Sequence, residues 1–152
     1  MKIAGKVAVV TGGASGIGQA VVRAFIERGG RAAIFDLNEA AGHAMVDELG
    51  SAVLFARVNV ADESSVAAAI TKTMAQFSAI HVCVNCAGIG SAHKTFGKDG
   101  PFPFAAWNKT TAVNLSGTFN VSRLCAEQMA KNTPYINAEC IRIDGGIRMQ
   151  PR

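Results

Sequence analysis

The stretch Lys6-Val7-Ala8-Val9-Val10-Thr11-Gly12-Gly13-Ala14-Ser15-Gly16-Ile17-Gly18 decides how this chain is read. Lys6–Thr11 is a short β-branched run halted by glycine, the pattern of a buried strand. From Gly16 to Gly29, apolar residues recur at Ile17, Val21, Val22, Phe25 and Ile26, which is helical spacing closed by a glycine cap. The three glycines between strand and helix do separate jobs. Gly12 allows a tight turn, Gly16 lets a pyrophosphate approach backbone, and Gly18 lets the helix lie close to the sheet. The helix N-terminus then offers unpaired N–H groups and a partial positive charge to an anion. Any tight strand-to-helix turn can use glycine, so the surrounding chain has to decide.

The same alternation continues downstream. Arg31–Asp36 reads as a second buried strand, and Asn38–Leu49 as a helix with Ala41, Met45, Val46 and Leu49 apolar, stopped by Gly50. Ala52–Val60 is expected as a third strand, and Glu63–Phe77 as a third helix with Val66, Ala69, Ile70 and Met74 on one face. Ile80–Asn85 makes a fourth strand. Gly88–Phe104 is polar, Gly-rich and long, and loops of that length in compact domains tend to carry function. Ala105–Met129 reads as one long helix, and Glu139–Ile143 alternates like a short last strand. Strands alternating with helices call for right-handed crossovers and a parallel sheet. The expected fold is α/β: a doubly wound, Rossmann-like sheet with helices on both faces, truncated. One domain is expected over residues 1–152, with βα units in 1–131 and a last strand and tail in 135–152.

Composition narrows the class. The chain has 152 residues, near the roughly 150 of one domain. With 49% hydrophobic and 17% charged residues it is not a disordered chain. Its net charge of +4 is spread along the sequence, which suits a solvated surface better than a nucleic-acid groove. No apolar run approaches the ~18 residues of a membrane span. The first residues lead straight into a strand without a cleavage pattern, so the expected setting is cytoplasmic. Cys83 and Cys86 form a C-x-x-C, but on a buried strand and without two further ligands. No metal is expected there.

Asp36 stands 18 residues after Gly18 at the end of the second strand. A carboxylate there can accept from both ribose hydroxyls of NAD and repel the extra phosphate of NADP. The alternative is that it caps the next helix together with Asn38. In order along the chain, the Gly12–Gly18 turn, Asp36, Asn85-Cys86-Ala87-Gly88 and Val113-Asn114 resemble the motifs of the short-chain dehydrogenase/reductase family. The loop from Lys94 to Gly100 and the ending Ile141 to Pro151 look like its 3-hydroxyacyl-CoA dehydrogenase type 2 branch. The resemblance implies NAD as cofactor, with Ser15 and Ile17 beside the glycines along the pyrophosphate and adenosine path. It puts Asn59-Val60 against adenine, where the family usually has Asp-Val; an amide oxygen can still accept there. It has Asn85, Ala87 and Gly88 supporting the central sheet and touching the ribose side. Asn114 would hold a water in the family's proton relay.

The rest of that relay is missing. The family uses a tyrosine as general acid/base with a lysine four residues on, because a phenol of pKa about 10 needs an adjacent cation at neutral pH. Here the only tyrosine is Tyr135, and position 139 is Glu. Ser122 falls thirteen residues before Tyr135, imitating the family's serine, but it lies inside a helix. Its hydroxyl is expected to cap nothing and do no chemistry. The simplest account is an internal deletion between about Asn132 and Tyr135. A bare fourth strand would be an aggregation hazard, so Glu139–Ile143 is expected beside it, in the strand order 3-2-1-4-5.

The expected parent activity is 3-hydroxyacyl-CoA dehydrogenase-like: NAD-dependent hydride transfer between a secondary alcohol and a ketone. This chain is expected to bind NAD(H) without turning over, and an acyl-CoA to be a partner of the full-length parent only. The alternative is a non-catalytic nucleotide-binding or interaction module, such as a subunit that pairs with an intact relative. His43, His81 and His93 are read as surface histidines. Phe102, Phe104 and Trp107 either line an acyl pocket or staple the loop to the helix start. Lys94, Lys98 and Lys109 are read as solvated, not as CoA-phosphate contacts.

Overall fold

The computed structural model describes residues 2–132. Its centre is the glycine-halted run itself. Val7–Thr11 (β1) pairs in parallel with Arg31–Asp36 (β2), in a register running from Val7 opposite Arg31 to Thr11 opposite Phe35. Val53–Arg57 (β3) adds outside β2, and Val82–Asn85 (β4) adds on the other side of β1. The order is β3-β2-β1-β4, all parallel, as a doubly wound sheet requires.

Strand residues alternate between two cores. Val7, Val9, Phe35 and Leu54 face Glu63–Phe77 (α3) and Thr118–Asn132 (α5), through Val66, Ile70, Val121 and Cys125. Ala8, Val10, Ile34 and Phe55 face Gly16–Glu27 (α1) and Glu39–Leu49 (α2), through Val22, Phe25 and Met45. Both faces of β1 and β2 are thus covered, which explains why these strands read as continuous apolar runs. Each Val or Phe so buried contributes about 1.5–3 kcal/mol.

Several boundaries differ from the sequence reading. The third strand ends at Arg57, not Val60. Val58 N–H to Asp36 O (3.0 Å) is the last bond to β2, and Asn59 Oδ1 then accepts Ala61 N–H (3.1 Å) as the chain turns away. Residues 50–52 form a 3₁₀ turn ahead of β3. The fourth strand begins at Val82, after His81 Nδ1 has accepted Val7 N–H at 3.1 Å. The long loop holds a small antiparallel hairpin, Phe96–Gly97 (β5) with Gly100–Pro101 (β6). The single long helix is in fact Phe104–Thr111 (α4), a π-helical segment Ala112–Gly117, and α5. A Cβ on Gly117 would stand 2.6 Å from Val60 Cγ2, so the π segment brings backbone against the loop after β3. The expected strand Glu139–Ile143, and with it Tyr135, lies outside the described residues.

Candidate functional site

Parallel strands deliver their C-terminal ends to one side of the sheet, and ligands bind in the crevice there. Here that crevice is a cleft of about 650 Å³. Its floor is the glycine turn. Gly12 has φ +62°, and a Cβ there would lie 2.9 Å from Ala87 N. Gly16 has φ +50° with nothing within 4 Å, so only its backbone conformation calls for glycine, and the space beside it is open. A Cβ on Gly18 would sit 2.1 Å from Gly12 O, which no packing tolerates. Ser15 is the N-cap of α1, yet its side chain makes no capping bond and the first turn holds no acid. The helix's first amides are left to an anion from the cleft.

Asp36 joins this floor to β2. Its Oδ2 accepts Ala14 N–H and its Oδ1 accepts Asn38 N–H, each at 3.0 Å. Asn38 is the N-cap of α2 and accepts Ala41 N–H at 3.1 Å, while Asp36 holds the N–H of Asn38 itself. A carboxylate has about four lone-pair sites, and two remain for a ligand's hydroxyls. Ile17 and Leu37, 60% and 58% exposed, form apolar flanks on the same cleft.

Beyond β3, Asn59 and Val60 line the cleft. The Asn59 side chain holds its own turn, and its N–H meets Ser65 Oγ (3.1 Å). Val60 O accepts from Asn120 Nδ2 at 3.0 Å, a buried bond that ties α5 to this loop. On the β4 side, Cys86, Ala87 and Gly88 form the wall, and Ala87 N–H donates to Thr11 Oγ1 (3.0 Å). Burial pushes the Cys86 thiol up. Val113 and the exposed Lys109 complete the cleft from the helical side.

Two expected site residues stand elsewhere. Asn85 does not line the cleft; strand alternation turns it with Cys83 toward α5. Its Nδ2 donates to Ser122 Oγ (2.9 Å) and Cys83 Sγ (3.6 Å). The Ser122 hydroxyl, read as idle, therefore anchors the end of β4. Cys83 is held below its ordinary value chiefly by its hydrogen bond with Cys125, whose own thiol is pushed up by the same contact and by burial. Asn114 sits in the π segment with both amide ends on one residue: Oδ1 accepts Ile89 N–H (2.9 Å) and Nδ2 donates to Ile89 O (2.8 Å). It positions the wall after Gly88.

The remaining candidates lie outside the cleft. His43 packs edge-on to Phe55, and His93 stacks near Phe102. His81 is held low by burial, then by Lys6 and Arg31. Phe104 and Trp107 are exposed and do not line the cleft. Among the described residues no group of three His, Cys, Asp or Glu gathers to hold a metal, and no helix is long and apolar enough to cross a membrane.

The sequence profile of the short chain dehydrogenases matches residues 6–134. The chain belongs to that family. It is 39% identical over 134 residues to the 3-hydroxyacyl-CoA dehydrogenase type-2 of Homo sapiens, covering 87% of this chain and 51% of that protein. An uncharacterized oxidoreductase of Thermotoga maritima is 40% identical over 130 residues, covering 84% and 49%. The D-threitol dehydrogenase of Mycolicibacterium smegmatis is 37% identical over 131 residues, with the same coverage of 84% and 49%. The chain thus spans about half the length of these relatives. Glycine turn, Asp36 and the Ala87-Gly88 wall all lie within the matched residues.

Proposed function

We propose that this chain binds NAD(H) in the cleft, as the nucleotide-binding part of a 3-hydroxyacyl-CoA dehydrogenase-like enzyme, and does not itself turn over. The Asp36 carboxylate carries the reading: it is fixed by two backbone N–H groups beside the amides of α1, with capacity left for two ribose hydroxyls. That placement favours NAD over NADP, because a 2′-phosphate would meet the carboxylate's charge. The open space at Gly16 and the uncapped start of α1 suit the pyrophosphate, and Ile17 and Leu37 suit an adenine ring. When bound, a nicotinamide supplies a hydride donor or acceptor at its C4. The chain's residues bind and orient it: the glycine turn by backbone, Ala87 and Gly88 as the wall, and Asn114 by fixing Ile89.

Nothing in the described residues moves a proton to or from an alcohol. They include no tyrosine, and the chain's only one, Tyr135, has Glu139 four residues on in place of lysine. Asn114 alone leaves a relay without its acid. We place the protein in the cytoplasm, with Cys83, Cys86 and Cys125 as free thiols. The test is a melting curve of the purified chain with saturating NADH or NADPH, and an absorbance assay with NAD and a 3-hydroxyacyl-CoA. A Tm raised by NADH alone, with no NADH formed in the assay, is the expected result. Turnover would refute the inactivity, and a Tm unmoved by NADH would refute the binding.

A further inference from the structure

The sequence sets Cys83 beside Cys86 in a C-x-x-C, but the fold parts them. Cys83 belongs to β4 and packs into the core that α3 and α5 cover, whereas Cys86 lines the cleft. The thiol that meets Cys83 is Cys125 on α5, and the two share a hydrogen bond. A second contact fixes this meeting. Asn85, two residues on from Cys83 and on the same strand face, donates from Nδ2 to Ser122 Oγ at 2.9 Å. Ser122 stands three residues before Cys125, on one face of the helix. The same Nδ2 reaches Cys83 Sγ at 3.6 Å. Two positions of β4 are thus matched to two of α5, and the short side chains of Cys83, Ser122 and Cys125 let strand and helix approach closely.

The two thiols are not equivalent. Cys125 is fully buried, while Cys83 is half-buried. The Cys125 thiol and the Asn85 amide both donate to Cys83 and hold it below its ordinary value, against the opposing effect of burial. Cys125 is pushed up by the same contact and by burial. Reactivity toward a peroxide follows thiolate character and access, and both single out Cys83. Side chains in contact lie within about 4 Å. Closing an S–S bond of about 2.05 Å from there asks for side-chain rotation and a small approach of α5 to β4.

We propose that Cys83 and Cys125 form a peroxide-responsive dithiol, in which Cys83 is oxidised first and Cys125 resolves it into a disulfide tying β4 to α5. In the first step the Cys83 thiolate attacks one oxygen of hydrogen peroxide and the O–O bond breaks. The hydroxide released takes up the proton that the thiol gave up and leaves as water. In the second step Cys125 Sγ attacks the sulfenic sulfur of Cys83 and the S–O bond breaks. The Cys125 proton leaves with the hydroxyl as a second water. The two thiols lose two electrons and the peroxide gains them. The crosslink joins elements that carry two walls of the cleft: β4 runs into Cys86, Ala87 and Gly88, and α5 holds Val60 O through Asn120. Its formation does not depend on which nucleotide the cleft takes.

The test is titration of the reduced 152-residue chain with hydrogen peroxide, followed by tandem mass spectrometry of its non-reduced peptides. The expected product is a Cys83–Cys125 linkage that dithiothreitol reverses. Its Tm should stand about 5–15 °C above that of the reduced chain, because the bond closes a loop of about forty residues. Cys83→Ala should slow oxidation of Cys125 at least ~10-fold, and Cys125→Ala should let Cys83 run on to the sulfinic acid. A linkage of Cys83 to Cys86 or Cys140, a linkage between chains at Cys83, or peroxide that leaves both thiols free overturns the proposal. So does a linkage that lowers Tm, or Cys125 oxidation that proceeds unchanged in Cys83→Ala. If a variant loses its cooperative melt, the peptide map and Tm of the unmodified chain decide by the same criteria.

Discussion

Replacing Asp36 with alanine isolates the group on which the cofactor reading rests. Two effects separate cleanly. The first is on the empty protein, which loses two charge-assisted bonds, to Ala14 N–H and Asn38 N–H at 3.0 Å each. Bonds to a charged group contribute about 1.5–3 kcal/mol where buried. Both are discounted here because the Asn38 bond is exposed and the Ala14 bond only partly buried. A loss of ~1–2 kcal/mol is the expectation, or roughly 3–8 °C in Tm. The second effect is on the ligand. Two ribose hydroxyls lose their shared acceptor, worth ~1.5–3 kcal/mol together, so Kd for NADH should rise about 10- to 150-fold. NADPH should gain relative to NADH, because the carboxylate that repels its phosphate is gone. Calorimetric titration with both nucleotides measures this, and Asp36→Asn, which keeps one acceptor oxygen, should fall between. Unchanged NADH affinity in a folded Asp36→Ala would refute the reasoning. So would an unmodified chain that binds NADPH as tightly as NADH.

Gly18→Ala forces a methyl to 2.1 Å from Gly12 O, and backbone must shift. A destabilisation of ~3 kcal/mol or more is expected in chemical denaturation, with NADH affinity lost as the turn opens. Asn120→Ala leaves the buried Val60 O without its 3.0 Å donor. Stability should drop by ~1–3 kcal/mol, and exchange at residues 58–62 should quicken first. Asp62 accepts from Ser64 Oγ, Ser65 N–H and Ser64 N–H at the start of α3, which together hold its carboxyl below the ordinary 3.8. A lowered folded pKa adds stability that is complete above the unfolded value and disappears as pH falls through the folded one. The Tm gap between the wild-type chain and Asp62→Asn, clear at pH 7, should therefore close under acid conditions. Cys86 lines the cleft, so saturating NADH should slow its alkylation, read by peptide mass; equal rates with and without nucleotide would place the ligand elsewhere.

What could be read from the sequence was what local pattern encodes. A β-branched run ended by glycine marked β1, an apolar run ended by Asp36 marked β2, and the helical spacing of Val66, Ala69, Ile70 and Met74 marked α3 to the residue. The glycine turn was legible because each glycine answers a different demand: the structure meets those of Gly12 and Gly18, and at Gly16 it shows a φ of +50° beside open space. The π segment was not, because one extra residue per turn leaves Val113, Leu115 and Phe119 compatible with a helix either way. Asn85 was assigned to the ribose side by motif, although strand alternation sets it with Cys83 and opposite Val82 and Val84. Leu37 could have been found as the neighbour of Asp36. Asn120 could not, since its bond to Val60 crosses 60 residues of sequence.

On the proposed function, binding and turnover are separable, because each wall of the cleft is held by bonds among the described residues. Gly12 N–H donates to Phe35 O, fastening the turn to β2, and Asp36 fastens it again at Ala14. Thr11 Oγ1 holds Ala87, Asn114 holds Ile89, and Asn120 holds Val60. Each wall is thus tied to another element, and none of these ties involves a residue beyond Asn120. The proton relay that the proposed function leaves out is a different matter: a tyrosine and lysine are partners in none of these bonds. If the sheet folds and NADH still fails to bind, the missing relay is not the cause. The fault would then lie at Asp36 or at Asn59, whose amide oxygen already accepts Ala61 N–H where the family usually has a carboxylate.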